Sequence, residues 1–374
     1  MSNKRSIFEE ISTDQAAPTA PVSVAPQSNR TAIRIWLGVL LAMVALMVIV
    51  GGLTRLTDSG LSITEWNLII GALPPLSEAD WNAAFVAYQT TDEYKLQNNW
   101  MTLADFKPIF WWEWGHRFLG RVMGVVWLIP LLFFAATGAI PRGWIGRLIF
   151  IGFLGGLQGA IGWWMVYSGL SIRVDVAPYR LATHLGVACL IFALILWYIL
   201  RLGHQEWSLL QARRRRVPGL AGWSRAVAGL LFLQILLGAL VAGVDGGKYF
   251  TDWPMMDGQF FAESATEMTP YWSNFFENPG MVQFIHRMTA YALVIVSIIF
   301  TLRARKSGHE RISFWGLAVG ACIVVQVVLG IVTLMHAAPT ELALAHQLAA
   351  LALLAVVMRA KFEVAYPSEQ KISA

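Results

Sequence analysis

The 374-residue sequence has little cysteine and little charge. Its two cysteines, Cys189 and Cys322, each lie inside a long apolar run, which excludes a disulfide framework and a cysteine-based metal cluster. Charged residues make up 14% of the sequence and apolar residues 56%. Because a soluble domain of this length needs a more charged surface, the sequence predicts an integral membrane protein.

Residues 1–31 lack the features of a mitochondrial transit peptide. They are rich in Ala, Pro, Ser and Thr and contain Glu9, Glu10 and Asp14, whereas transit peptides are rich in Arg and poor in acid. We therefore expect a disordered cytoplasmic tail, and we favour a bacterial cell inner membrane over the alternative, a mitochondrial inner membrane. The basic residues behind the net charge of +5 cluster in short loops, so we expect no nucleic-acid partner.

Eight apolar runs are long enough to cross a bilayer core of about 30 Å, which takes roughly 20 helical residues. No run shows the period-2 alternation of a membrane β-barrel. The sequence therefore predicts an all-α integral membrane protein with eight transmembrane helices. The runs are 32–53, 117–137, 145–167, 181–201, 223–243, 283–303, 312–334 and 341–359.

The loops between these runs differ in charge from one side of the membrane to the other. Short connections carry "RRRR" (213–216) and "RARK" (303–306), whereas the long loops 54–112 and 245–282 are dominated by Asp and Glu. Because Lys and Arg are enriched in cytoplasmic loops, both termini are predicted to be cytoplasmic.

The two halves of the chain repeat. "GGLTRLTDSGLSITEW" (51–66) aligns with "GALVAGVDGGKYFTDW" (238–253) at an offset of 187, and "WGHRFLGR" (114–121) recurs as "FIHRMTAY" (284–291). Parallel repeats of four helices predict two pseudo-symmetric four-helix bundles. The predicted organisation is a tail (1–31), an N-terminal bundle (32–201), a basic cytoplasmic linker (202–222), a C-terminal bundle (223–359) and a second cytoplasmic tail (360–374).

Four histidines lie in matched places near the outer ends of the second, fourth, sixth and eighth runs: His116, His184, His286 and His346. A single histidine at such a place is usually a hydrogen-bonded packing residue. Two histidines facing each other inside each bundle are instead what bis-histidine haem ligation requires. Zinc fits less well, because each pair lacks the further ligands of a closed zinc site.

Arginines accompany these histidines. Arg117 and Arg287 directly follow the first histidine of each pair. Arg121 lies one turn after Arg117, and Arg180 lies one turn before the second histidine. Arginine pairs well with carboxylates, so we take these four as candidate partners of haem propionates. Alternatively, they extend along the helix ends to reach water.

The repeat fails at one position beside the first histidine of each half. Glu113 precedes His116 by three residues, whereas Gln283 precedes His286. A carboxylate can act as a general base or stabilise a developing cation, and an amide can do neither. We infer that the N-terminal pocket performs chemistry and that the C-terminal pocket holds a permanent haem. The alternative is that Glu113 only complements a helix dipole.

With these residues in view, nearly the whole chain resembles the haem A synthase family. The segments "LTDSGLSITEW", "FWWEWGHRFLGR", "RLATHL", "FIHRMTAY" and "LALAHQLAAL" are similar to the motifs of that family. The resemblance implies oxidation of the C8 methyl group of haem O to a formyl group, which yields haem A for cytochrome oxidases.

The resemblance also implies roles for particular residues. Glu113 would be catalytic, His116 and His184 would flank the iron of the substrate haem, and His286 and His346 would ligate haem b. The sequence resembles the cysteine-less branch found in alphaproteobacteria and mitochondria, because Ile63 and Ile69 stand where some members have cysteine.

Partners follow from the resemblance as well. They are haem O, membrane lipid and, among proteins, haem O synthase and oxidase assembly factors. The electron acceptor and the formation of a homo-oligomer stay open.

Two other functions are compatible with parts of this pattern. A di-haem cytochrome b-type quinol oxidoreductase would need haems toward both membrane faces, whereas all four histidines lie toward one face. A haem-free transporter would place its ionisable site near the midplane, where these runs are almost free of charge.

Overall fold

The computed structural model describes residues 27–67, 70–171 and 173–369. These residues are almost entirely helical and contain no β-strand, apart from an isolated bridge between Met256 and Gln259. Eleven α-helices occur among them: α1 (Gln27–Leu56), α2 (Glu78–Gln89), α3 (Leu103–Ala136), α4 (Ile145–Ser171), α5 (Pro178–Leu202), α6 (Glu206–Arg214), α7 (Leu220–Gly243), α8 (Asn274–Glu277), α9 (Pro279–Arg305), α10 (Glu310–Met335) and α11 (Thr340–Ala365).

Eight of these helices are long and apolar enough to cross a membrane: α1, α3, α4, α5, α7, α9, α10 and α11. The prediction of an all-α membrane protein with eight such helices is therefore confirmed. The connections also contain short helical turns at Ile70–Ala72, Tyr94–Asn98, Gly246–Lys248, Glu263–Thr266 and Tyr271–Ser273.

The helices pack in the same order in both parts of the chain. We call α1–α5 the N-half and α7–α11 the C-half. In the N-half, α1 packs against α3 and α5, while α4 packs against α5 and more sparsely against α3. In the C-half, α7 packs against α9 and α11, and α10 packs closely against both α9 and α11. The division into two pseudo-symmetric bundles stays a prediction that this order supports.

An apolar core joins the two halves. Leu37 of α1, Leu231 of α7 and Phe300 of α9 are fully buried members of one cluster, and α5 packs directly against α7. Burial of this cluster fixes the relative positions of the helices that hold the four histidines.

The connections fall on two sides. We call the side with the loops 57–102 and 244–278 the acidic-loop side, and the side with the loops 137–144 and 203–219 the basic-loop side. All four helices that contain a candidate histidine begin on the acidic-loop side. The predicted cytoplasmic location of the termini stays a prediction.

Helix α3 begins well before the predicted span, which started at residue 117. Thr102 caps its N-terminus through a capping box, in which Thr102 accepts from the Asp105 N–H and Asp105 accepts from the Thr102 N–H. The stretch "WWEWGHRFLGR" (111–121) is therefore helical rather than part of a loop. At about 1.5 Å per residue, 34 residues exceed the bilayer core, so α3 extends beyond it.

Other boundaries differ from the predictions by fewer residues. Helix α1 begins at Gln27 within the predicted tail 1–31, and α11 continues past residue 359 to Ala365. The rest of the first tail, the last five residues of the second tail, and Ile69 lie outside the described residues.

Arg55 links the two halves on the acidic-loop side. Its guanidinium donates to Asp58 at 2.7 Å, to Asp245 at 2.9 Å and to the Ala242 carbonyl at 2.9 Å. Asp58 and Asp245 are partners in the sequence repeat, and both adopt the left-handed backbone conformation, with φ of 48° and 50°. The repeat found in the sequence therefore extends to backbone geometry at this point.

Candidate functional site

The two N-half histidines face each other between α3 and α5. The ring centroids of His116 and His184 are 6.5 Å apart, and the rings are inclined by 65°. A metal ion bound at about 2 Å by one nitrogen of each imidazole would hold the ring centroids roughly 6 Å apart. The spacing therefore fits two axial ligands of one iron.

Each of the four histidines lies against a glycine on the preceding membrane helix. A Cβ atom added at any of these glycines would lie 2.9–3.2 Å from an atom of the imidazole, which is closer than ordinary van der Waals contact. A larger residue would therefore displace the ring. The pairs and distances are Gly51 with His116 (3.0 Å to Nε2), Gly162 with His184 (3.1 Å to Cε1), Gly238 with His286 (3.2 Å to Cε1) and Gly330 with His346 (2.9 Å to Cε1).

Both C-half histidines also contact a glutamine side chain. Gln234 Nε2 lies 3.1 Å from each ring nitrogen of His286 and donates to its carbonyl oxygen at 3.1 Å. Gln326 Nε2 lies 3.2 and 3.3 Å from the ring nitrogens of His346 and donates to its carbonyl at 3.1 Å. Each glutamine precedes the glycine of its pair by one helical turn.

Unpartnered polar atoms remain beside these histidines. Nδ1 of His184 is buried without a hydrogen-bond partner, and so are Oε1 of Gln234 and Oε1 of Gln326. A bound iron would occupy one imidazole nitrogen, and the other would then donate its N–H to an acceptor such as an amide oxygen. The facing pair His116 and His184, these unpartnered atoms and the glycines against which the four rings lie, here called glycine seats, fit haem. Among the described residues, no group of three or more His, Cys, Asp or Glu forms a metal site.

The Glu113 side chain is buried and accepts hydrogen bonds from three donors. Ser62 Oγ donates to Oε2 at 2.7 Å, and the Ile63 N–H donates to the same oxygen at 2.8 Å. Arg117 donates to Oε1 at 2.5 Å. Since an ionised carboxylate offers about four acceptor positions, room remains for one further donor such as water.

The matched C-half side chain, Gln283, is also buried, but most of its hydrogen bonds run in the opposite direction. Its Nε2 donates to the carbonyl oxygens of Gly246 at 2.9 Å and Phe250 at 3.0 Å. Phe250 is the repeat partner of Ile63, whose N–H donates to Glu113. The acid therefore lies among donors, and the amide lies beside carbonyl acceptors.

Arg117 and Arg287 bind the loop that precedes their helix. Arg117 donates to the carbonyls of residues 63 and 65, each at 2.9 Å. Arg287 donates to the carbonyls at the repeat positions, 250 at 3.3 Å and 252 at 3.0 Å, and also to those of residues 254 and 255. Both arginines thus fix the loop over the histidine helix, and their predicted contact with propionates stays a prediction.

The other two candidate arginines also have backbone partners. Arg121 donates to the Asn67 carbonyl at 2.8 Å. Arg180 donates to the Trp164 carbonyl at 2.5 Å and lies over the Trp164 ring, 4.4 Å from its centroid. Both arginines are close in sequence to a histidine of the N-half, and their contact with haem propionates stays a prediction.

Two glycines of α4, Gly155 and Gly159, are exposed. A Cβ atom added at Gly155 or Gly159 of α4 would have no other atom within 4 Å. The matched residues of α10 are Ile323, which is buried in the core, and Val327, which packs against it. Gly152 of α4, by contrast, lies against the Trp127 ring.

The N-half has a second buried carboxyl group besides Glu113, and it lies in the loop 57–102 rather than in a membrane helix. Glu93 is 3% exposed and lies beside the hydroxyl group of Tyr88, which is itself buried. Burial, together with the nearby carboxyl group of Glu113, raises the pKa of Glu93 to about 8. Burial also raises the pKa of Tyr88.

The glycine and glutamine partners of the histidines, as well as Ser62 and Glu93, were not predicted from the sequence. A signal for the first two was present: the spacing Q-x-x-x-G occurs at 158–162, 234–238 and 326–330. The partners of Glu113 and the burial of Glu93 depend on how the loop 57–102 folds back on α3, which the sequence pattern did not indicate.

Comparisons with known proteins identify the family of the chain. The family model described as cytochrome oxidase assembly protein, COX15-CtaA, matches residues 34–358. Proteins named heme A synthase from Roseobacter denitrificans and Ruegeria pomeroyi are 51% and 52% identical to the chain, and each alignment covers 98% of both proteins. The heme A synthase of Paracoccus denitrificans is 48% identical over 99% of this chain and 98% of the relative. From the match over almost its whole length, the chain belongs to the COX15-CtaA family of cytochrome oxidase assembly proteins.

Proposed function

We propose that this protein is a haem A synthase, which oxidises the C8 methyl group of haem O to the formyl group of haem A. The observation that supports this most directly is the pair of facing histidines in the N-half with a buried carboxylate one turn away. About 50% identity to proteins named heme A synthase over nearly the full chain supports the same function.

The proposed reaction is a four-electron oxidation. The methyl group and one water yield the formyl group, four electrons and four protons, by two hydroxylations and one loss of water. The protons need an acceptor near the reacting carbon, and the electrons leave to an acceptor outside the chain.

Glu113 is the proposed proton acceptor. Three donors fix the direction of its carboxylate, and the remaining acceptor position is available to a water molecule. Held in this way, the carboxylate can remove a proton from water or stabilise positive charge that develops at the substrate. Ser62 and Arg117 would position this group rather than react.

His116 and His184 would hold the iron of haem O, with Gly51 and Gly162 leaving room for the imidazoles. We assign His286 and His346 to haem b. A haem b held there would supply a one-electron redox centre through which electrons leave the substrate pocket.

We further propose that the protein lies in the bacterial inner membrane with both termini in the cytoplasm. Eight apolar helices, bacterial relatives and the Lys- and Arg-rich short loops support this location. Candidate protein partners remain haem O synthase and oxidase assembly factors.

The two rival functions have less support. A quinol oxidoreductase that carries electrons across the bilayer needs haems toward both faces, yet all four histidine helices begin on the acidic-loop side. A transporter would not need a glycine seat for each of four histidines.

The proposal is tested by replacing Glu113 with Gln in cells that make haem O. Pigment is extracted from the purified protein, and the bound haems are identified by mass. Wild type should yield haem b and haem A, whereas Glu113→Gln should yield haem b with at least about a 100-fold loss of haem A, the lower range for loss of a general base. Glu78→Gln, the same change at an exposed residue, should match wild type.

A wild-type protein that never forms haem A from haem O would contradict the proposed function. Undiminished haem A formation by Glu113→Gln would contradict the role of Glu113 alone. A quinol-dependent reductase activity without any change of haem type would favour the first rival.

A further inference from the structure

The glutamines beside the histidines differ between the two halves. In the C-half, Gln234 and Gln326 both reach the imidazole rings of their histidines, at 3.1 to 3.3 Å from the ring nitrogens. These contacts lie one turn from the glycines that seat the rings, so each C-half imidazole is held between a glycine and an amide.

The N-half lacks such a contact at both histidines. Gln158 donates only to the backbone carbonyl of His184, at 2.9 Å, while the ring Nδ1 of His184 is buried without a partner. At His116, the repeat offset of 187 places Met47 where the C-half has Gln234. A thioether has no N–H or O–H to donate and is only a weak acceptor.

This difference affects how firmly an imidazole can hold iron. The hydrogen bond made by the second ring nitrogen fixes the orientation and tautomer of a ligating histidine and raises its basicity. Loss of such a partner typically lowers metal affinity about 10- to 100-fold. The amide atom of Gln234 and Gln326 that faces the rings is Nε2, a donor, and turning either amide over would bring its Oε1, which is buried without a partner, to the ring as an acceptor. Oε1 of Gln158 is also buried without a partner, so the halves differ in whether the amide reaches the ring and in the residue at position 47.

We propose that Gln234 and Gln326 are positioning residues that retain the C-half haem, and that Met47 leaves His116 free to release the haem in the N-half. The inference rests on the proposed function. That function assigns a permanent haem to the C-half, and it assigns to the N-half a haem that arrives as substrate and leaves as product. The chemical requirement differs accordingly: the redox haem must stay, and the substrate haem must exchange.

The test exchanges the residues at the matched positions. Gln234→Met should speed the transfer of haem b from the purified protein to apomyoglobin by about 10-fold or more. It should also raise the midpoint potential of haem b and change the g-values of its low-spin electron paramagnetic resonance signal, because a less basic imidazole stabilises the oxidised iron less.

Gln234→Glu serves as the conservative variant. A carboxylate accepts the imidazole N–H more strongly than an amide does, so this variant should keep haem b and lower its midpoint potential. A residue with a merely structural role would not move the potential in opposite directions in these two variants.

Met47→Gln is the reciprocal change in the N-half. It should slow the release of haem A from the purified protein to apomyoglobin by about 10-fold, while the potential of haem b stays that of wild type. If Gln234→Met keeps the wild-type transfer rate, potential and g-values, the inference is wrong although the proposed function stands. If wild type binds no low-spin haem at all, the proposed function itself fails.

Discussion

In both halves an arginine binds the carbonyl oxygens at the same loop positions. The buried side chain one turn before that arginine, however, is an acceptor in the N-half and mainly a donor in the C-half. In the N-half, Glu113 accepts from a hydroxyl, a backbone N–H and a guanidinium. In the C-half, Gln283 donates to two carbonyls and accepts from Arg287. A shared scaffold can therefore hold an acid in one pocket and a neutral amide in the other.

The loops show the same contrast. The buried polar side chains of the C-half loop include the amides Asn274 and Asn278, whereas the N-half loop buries the carboxyl group of Glu93. Asn274 and Asn278 satisfy each other and neighbouring backbone groups. The buried side chains of Asn274 and Asn278 thus make neutral hydrogen bonds, whereas the N-half loop buries a carboxyl group that can exchange a proton.

The largest expected effect follows from filling the glycine seat of one histidine. Gly238→Val would force the His286 ring away, because even a Cβ atom lies 3.2 Å from its Cε1. Bound haem b, measured by pyridine haemochrome assay and electron paramagnetic resonance, should fall by more than about 10-fold. Gly51→Val should instead deplete haem O and haem A and leave haem b in place.

Gly229→Val provides the control for this experiment. Gly229 lies on the same helix, and a Cβ atom there would have no other atom within 4 Å. This variant should retain haem b. A full complement of haem b in Gly238→Val would show that the two halves do not use their glycines in the same way.

A smaller effect is expected from removing one donor to Glu113. Ser62→Ala loses a buried hydrogen bond to a carboxylate, a contribution of about 1.5–3 kcal/mol, so haem A formation should slow by roughly 10-fold or more. The matched residue, Tyr249, is exposed, and Tyr249→Phe should leave the rate unchanged. Equal rates in wild type and Ser62→Ala would mean that the carboxylate does not depend on this donor.

The last comparison concerns pH and the stability of the N-half. The pKa of Glu93 is about 8 in the folded protein against 4.5 as its ordinary value, so the folded state holds a proton that the unfolded state releases. The free energy of unfolding should therefore decrease as pH rises from 5 to 8, by up to roughly 1.4 kcal/mol per pH unit, and level off above pH 8.

Unfolding of the detergent-solubilised protein, followed by tryptophan fluorescence between pH 5 and 9, measures this dependence. Glu93→Gln should flatten the decrease, because the amide has no proton to lose in this range. The C-half loop has no buried carboxyl group among its described residues, so the same slope in Glu93→Gln and wild type would assign the dependence to a different group.

The sequence was sufficient to predict the membrane helices, because apolar runs of about 20 residues have few alternatives in a bilayer. It failed at the start of α3, since the Trp- and Glu-containing stretch 111–114 resembles an interface loop in hydropathy. The capping box of Thr102 and Asp105 was the local signal that could have located this start.

Only the site residues that take part in the repeat could be predicted from the sequence. His116, His184, His286 and His346 were identified because they recur, and Glu113 because the recurrence breaks there. Their partners come from other helices and from loops, so they depend on long-range packing that no local pattern specifies. Arginine contacts with backbone carbonyls leave no sequence signature at all, because every residue has a carbonyl.

The reversed hydrogen bonds around Glu113 and Gln283 have a consequence for anyone who would engineer a second active pocket into this chain. Installing an acid at residue 283 alone would point a negative charge at the carbonyl oxygens of Gly246 and Phe250. Those oxygens belong to the backbone and cannot be mutated away, so the connecting segment would have to be rebuilt together with the new carboxylate. Transplanting the activity therefore requires grafting a loop and a helix as one unit.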